Sequence, residues 1–135
     1  HYVHSDKKTG VIVVLKSDKP EVFAEKAFQD FAYDCCLHAA AFTPLYVKKE
    51  DVDAAYIDEQ LEVFRGQVAE LQKPDNVKEG IVKGMLNKHL AEICFLEQAF
   101  VKDDKMSVAA KMKEVGKQLD TNISLSKLVL WQLGQ

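Results

Sequence analysis

Apolar and polar positions along this chain change period several times, and each change marks an element. Tyr2-Val3-His4, a polar stretch from Ser5 to Gly10, and the run Val11-Ile12-Val13-Val14-Leu15 predict a β-hairpin. β-branched residues suit the pleat, and Gly10 suits the turn. The run is apolar at every position, so its strand is expected either to be covered on both faces or to lie centrally in its sheet. From Pro20 to Phe42 the period lengthens. Phe28, Phe31, Cys35, Ala39 and Phe42 recur at spacings of 3 and 4, one stripe of a helix. Glu25, Lys26, Gln29, Asp30, Tyr33 and Asp34 lie mostly off that stripe. Pro20 suits a first helical turn, where a missing N–H is harmless. Thr43-Pro44 closes the helix, because proline pushes the residue before it out of the α region.

Lys49 to Asp53 reads as a charged helix entry. Ile57, Leu61, Phe64, Val68 and Leu71 then step by 4, 3, 4 and 3, the seam of a coiled coil. Gln72 to Asn76, with Pro74, is a turn. Val77, Ile81 and Met85, followed by Leu86, Leu90 and Ile93, make a second and less regular stripe. Two helices joined by so short a turn form an antiparallel hairpin. Gly80 and Gly84 inside the second helix are expected to let the two helices approach closely or to bend the second one. Ser107 is a candidate N-cap for a shorter helix ending at Leu119, with Val108, Met112, Val115 and Leu119 on one face. A last strand is expected from about Leu125 to Leu133, stopped by Gly134.

This order predicts an α+β fold: a small three-stranded antiparallel sheet, helices packed on one face, and a protruding antiparallel helical hairpin. The expected division is a core subdomain of residues 1-52 and 94-135 with an inserted coiled-coil hairpin of residues 53-93. The length of 135 residues suits one independent core. With 47% hydrophobic residues, 29% charged residues and a net charge of -3, the chain falls outside the disordered class. The balance also argues against nonspecific nucleic-acid binding, which needs clustered lysine and arginine. No apolar run approaches a membrane span. Cys35, Cys36 and Cys94 form no regular framework, which suits a reducing compartment. Position 1 is His, so the chain reads as a fragment or a processed product.

Segments in register along the chain resemble one family. Glu92 to Asp103, reading Glu-Ile-Cys-Phe-Leu-Glu-Gln-Ala-Phe-Val-Lys-Asp, is similar to a segment of bacterial elongation factor Ts, with Ala99 in the place of a usual proline. His1-Tyr2-Val3-His4 with Gly10-Val11-Ile12-Val13 resembles the family's Tyr-x-His followed by Gly-Val-Leu-Val. Leu37-His38-Ala39-Ala40 through Pro44-Leu45-Tyr46-Val47 looks like its Met-His-x-Ala and Pro-x-Tyr/Phe-Val. Lys73-Pro74, Gly84 and Leu130-Trp131-Gln132-Leu133-Gly134-Gln135 match further positions. There are departures as well. The family's exchange wedge, Thr-Asp-Phe-Val, falls at Lys19-Pro20-Glu21-Val22, where both acid and aromatic are replaced. Leu130 stands where arginine is usual.

The resemblance implies a guanine nucleotide exchange factor that binds elongation factor Tu through its domain 3. It implies no enzyme, catalytic residue, cofactor or metal, no direct nucleic acid and no membrane. It implies a cytoplasmic, bacterial setting, with an organelle as the runner-up. The chain then corresponds to the second core subdomain with its hairpin; a short form that has lost the wedge is the other explanation. His4, Ala99, Phe100, Val101 and Lys102 are the expected partner contacts, with Phe100 and Val101 forming a sticky surface in a polar loop. Two routes to a homodimer are open, through the helical hairpin or through Cys94. The alternative function is a self-associating coiled-coil module without a GTPase partner. Cys35 with His38 as a metal pair and Cys94 with His89 as a nucleophile pair both lack the further groups such sites need.

Overall fold

A computed structural model describes residues 1–134; Gln135, the last position of the family resemblance, lies outside them. The chain is α+β. A first hairpin pairs β1 (Tyr2–Val3) with β2 (Thr9–Ser17), and β5 (Ile123–Gln132) pairs with the other edge of β2. The sheet is therefore antiparallel with order β1-β2-β5. β2 is central, one of the two expected outcomes. It is not covered on both faces: Val11 is buried, whereas Ile12 and Val14 are each 40% exposed. Strand alternation explains this, since Val11, Val13 and Leu15 point to one face and Ile12 and Val14 to the other. Trp131 pairs opposite Gly10 and adds an exposed indole to the open sheet.

The covered face carries α1 (Lys26–Phe42) and α4 (Val108–Gln118). Their buried residues Phe31, Cys35, Ala39, Val108, Met112 and Val115 join Val11, Phe95 and Phe100 in one core. Pro20 opens a separate 3-10 turn over Pro20–Ala24 rather than the long helix. Glu25 is extended, with φ -73 and ψ 133, and breaks the two apart. α1 ends at Phe42 as expected, but through a left-handed Thr43, φ 43, instead of an extended one. Phe42, the last residue of the expected stripe, is thereby left half-exposed on the final turn. Ser107 caps α4 as expected, its Oγ accepting from the Ala110 amide at 3.1 Å.

Between these helices run α2 (Ala54–Val68) and α3 (Asp75–Ile93), packed antiparallel against each other. Val68 of α2 and Val82 of α3 are buried, while Leu71 lies beyond the end of α2 and is exposed. Val82, absent from the expected stripe, is 0% exposed, and Val77, included in it, is 40% exposed. At its base the pair is joined to the core by Val52, Leu90 and Cys94 with Tyr46, Tyr56 and Ile57 around them.

The glycines of α3 do not mark a close helix contact. A methyl group at Gly80 or Gly84 meets no neighbouring atom within 4 Å. Close helix approach is thus corrected: both face open space. Gly80→Ala and Gly84→Ala are each expected to stabilise the chain by about 0.5–1 kcal/mol, through helix propensity and a less flexible unfolded state. Urea midpoints check this; a lowered midpoint would mean that the helix needs glycine there.

Candidate partner-binding surface

The segment after α3 is the least regular part of the chain and the most informative. A 3-10 turn over Phe95–Glu97 leads into β3 (Ala99–Phe100), which pairs with β4 (Asp103–Ser107). Sequence reasoning reads this stretch as a loop. The run Asp103-Asp104-Lys105 is a poor strand by propensity. What holds the pairing is the anchor at each end: Phe100 in the core and the cap Ser107 of α4. Val101 and Lys102 form the tight turn, with Phe100 opposite Asp103.

The expected contacts divide accordingly. Ala99 is exposed, and so is Lys102, whose Nζ lies 3.1 Å from Asp34 Oδ1. Val101 is 37% exposed. Phe100 is corrected: it is 1% exposed, packed on Phe31 and on the ring of His38. Alternation along β3 explains the difference, because Ala99 points outward and its neighbour must point in. His4 stands at the tip of the first hairpin, exposed, with its Nδ1 2.8 Å from the Tyr2 hydroxyl. Fold topology then joins distant positions. Tyr2, His4, Leu37, Ala40, Ala41 and Val101 line one open depression of about 440 Å³. His4 and Val101 share it; Ala99 and Lys102 belong to the same β3–β4 hairpin as Val101 but are not among the lining residues. Ala40 and Ala41 contribute small side chains to its lining.

Beneath the depression lies a group whose part sequence reasoning missed. His38, from α1, is 0% exposed. Its Nδ1 accepts the backbone N–H of Val101 at 3.1 Å, so that nitrogen carries no proton. Its Nε2–H therefore donates to Gln98 Oε1 at 2.8 Å, and Gln98 Nε2 donates to the Glu92 carbonyl at 2.8 Å. Both ring nitrogens are engaged by protein groups, so the Cys35–His38 metal pair has no free ligand on its histidine. Among the described residues no cluster of three or more His, Cys, Asp or Glu could hold a metal ion.

Burial lowers the His38 pKa from its ordinary 6.5, with the Gln98 hydrogen bond opposing it. The unfolded chain takes up that proton near 6.5, the folded chain only below it. The unfolded state then binds more protons between the two values, so stability falls as pH drops through this window and is fully present above it. The limiting slope is about 1.4 kcal/mol per pH unit. The urea midpoint is expected to fall between pH 7.5 and 5.5, and to fall less in a His38→Gln chain. An equal fall in both would assign the effect elsewhere. Glu79 and Asp120, held low by Arg65 and Lys19, act only as pH falls from the ordinary carboxylate range downward and leave this window clear.

The remaining cysteine readings change. Cys94 is 0% exposed, and burial raises its thiol pKa. A thiol enclosed in this way cannot bridge to a second copy, so the Cys94 route to a homodimer is corrected. His89 Nε2 lies 2.7 Å from the Tyr56 hydroxyl, a further ground against the Cys94–His89 pair already set aside.

These features define an α+β core with an open surface depression and an appended helical arm. A family model described as elongation factor TS matches residues 1–135. The chain belongs to the elongation factor Ts family. An elongation factor Ts of Treponema denticola is 77% identical over 133 residues, 98% of this chain and 48% of that protein. One of Treponema pallidum (strain Nichols) is 59% identical over 134 residues, 99% of this chain and 46% of that protein. One of Geotalea daltonii is 37% identical over 134 residues, 99% of this chain and 62% of that protein. The chain thus spans about half the length of the Treponema relatives. Among the described residues no helix is long and apolar enough to cross a membrane.

Proposed function

We propose that this chain is the docking half of an elongation factor Ts. It grips elongation factor Tu, through domain 3 of that GTPase, and supports guanine nucleotide exchange while producing little exchange alone. The observation that supports this best is the shared depression: His4 and Val101, distant in the chain, line one surface, and Ala99 and Lys102 lie beside Val101 in its hairpin. Such a surface serves binding rather than covalent chemistry, and an exchange factor needs only binding. A protein that holds the empty GTPase more tightly than the loaded one weakens nucleotide affinity by the same factor.

The chain divides in this reading into a core subdomain, residues 1-52 and 94-135, and an inserted hairpin, residues 53-93. The open face of the sheet, with Ile12, Val14 and Trp131 exposed, fits a core that another half of a longer protein covers. Cytoplasmic location follows from the same reading. Isothermal titration of the chain into nucleotide-free elongation factor Tu tests it. A saturable complex is expected; no heat and no complex would contradict it.

A second reading has its own observation. Val63, Leu71 and Val77 are exposed on the helical hairpin, an apolar excess beyond what closes the two helices. Self-association through this arm predicts a sedimentation coefficient that rises with concentration and falls on Val63→Glu. A concentration-independent monomer removes it.

A further inference from the structure

We infer that His38 is the positioning residue of this surface: its buried imidazole, locked in one tautomer, fixes the Val101–Lys102 turn where it completes the depression beside Tyr2 and His4. The inference deepens the docking reading and rests on it.

The β3–β4 hairpin cannot hold its own turn rigidly. Its pairing consists of Ala99 with Ser107 and Phe100 with Asp103, with a register shift between the two. The ion pair of Lys102 with Asp34 is largely solvated and contributes little. The bond from the Val101 amide to His38 Nδ1 is different, because it ties the turn directly to the buried face of α1. The imidazole has no room to swing. Phe42, Phe95 and Phe100 enclose it at ring-centre distances of 4.7, 5.3 and 6.2 Å. Its other nitrogen is held by Gln98, and Gln98 is held in turn by the carbonyl at the end of α3. A turn amide is thus registered against two helices by one side chain. The plainer alternative is a satisfied core histidine that contributes stability and nothing specific to binding.

Two conservative variants separate these, because each keeps one half of the ring's hydrogen bonding. Asparagine places its Oδ1 near the position of Nδ1 and can still accept the Val101 N–H. Glutamine places its Nε2 near the position of the ring Nε2 and can still donate to Gln98. Hydrogen exchange at the Val101 amide and calorimetric binding to nucleotide-free elongation factor Tu are read on both, with urea midpoints as the control. His38→Asn is expected to keep Val101 protected and to bind within about threefold of the unaltered chain. His38→Gln is expected to lose that protection and to bind about tenfold more weakly, the scale of one lost hydrogen bond. Binding that tracks the urea midpoint in both variants, or that changes in neither, overturns the inference. If the unaltered chain itself gives no complex, the docking reading fails, and amide protection alone still judges the pin. Imidazole ¹⁵N shifts of the unaltered chain test the same point without any variant: an unprotonated Nδ1 is expected, and a protonated one overturns the inference.

Discussion

A Phe100→Ala chain is expected to lose about 3–5 kcal/mol of stability, the usual range for removing a fully buried phenylalanine. For a chain of this length that corresponds to a fall in Tm of roughly 10–20 °C. The reasons are local. Phe100 is 1% exposed and lies against Phe31, His38 and the rest of the main core. It is also the only buried residue of β3, so the cavity opens directly under the Val101–Lys102 turn. Ordinary domains have about 5–15 kcal/mol in total, which makes this one substitution a large share. Val101→Ala is the contrast. Its side chain is partly exposed, so stability is expected to change by less than about 1 kcal/mol while binding weakens. Thermal melts and calorimetry on the two variants check the division. A stable Phe100→Ala chain would show that β3 is not anchored as described.

The second large effect is a contrast in nucleotide release. At saturating concentration this chain is expected to leave the rate of GDP release from elongation factor Tu within about twofold of the spontaneous rate, a change in barrier below roughly 0.4 kcal/mol. The resemblance places the exchange wedge at Lys19-Pro20-Glu21-Val22, where acid and aromatic are replaced. The fold puts these residues at the start of a 3-10 turn in which Val22 is buried and Glu21 exposed. Phe23, the nearest aromatic, lies one position past this segment, 44% exposed and with its ring against Phe28 at a ring-centre distance of 5.2 Å. Stopped-flow release of a fluorescent GDP measures the effect. Acceleration of many-fold would show that this turn, or another part of the chain, acts as a wedge after all.

Much of the fold was legible because its periods are clean. The β-branched run of β2, the Phe28-Phe31-Cys35-Ala39 stripe of α1 and the Ser107 cap of α4 each state their element in local sequence. The helical pair was legible from the spacing of Ile57, Leu61 and Phe64. Where reading failed, the deciding partner lay far away in the chain. The two-stranded β3–β4 ribbon is polar and short, and only its anchoring in the core makes it a strand pair. Phe100 looked like a surface residue because its sequence neighbours are polar; its true neighbours, Phe31 and His38, come from α1. Gly80 and Gly84 looked like close-packing sites, but the helix rotates them to solvent.

The candidate site divides along the same line. His4, Ala99, Val101 and Lys102 were named from the family resemblance, and no pattern of charge or hydropathy marks them. That His4 and Val101 share one depression is a matter of topology. The His38–Gln98 pairing was not read from the sequence, since the two residues are 60 positions apart. One signal was present: a histidine within an apolar helical stripe needs buried partners, and a glutamine after a 3-10 turn is a natural one.

Amide shift mapping of the labelled chain, titrated with nucleotide-free elongation factor Tu, bears most directly on the docking account. The expected result is broadening or displacement concentrated at His4, Leu37, Ala40 and Ala99 through Lys102, with the tip of the helical hairpin little changed. Saturable binding that leaves those amides unmoved would contradict it.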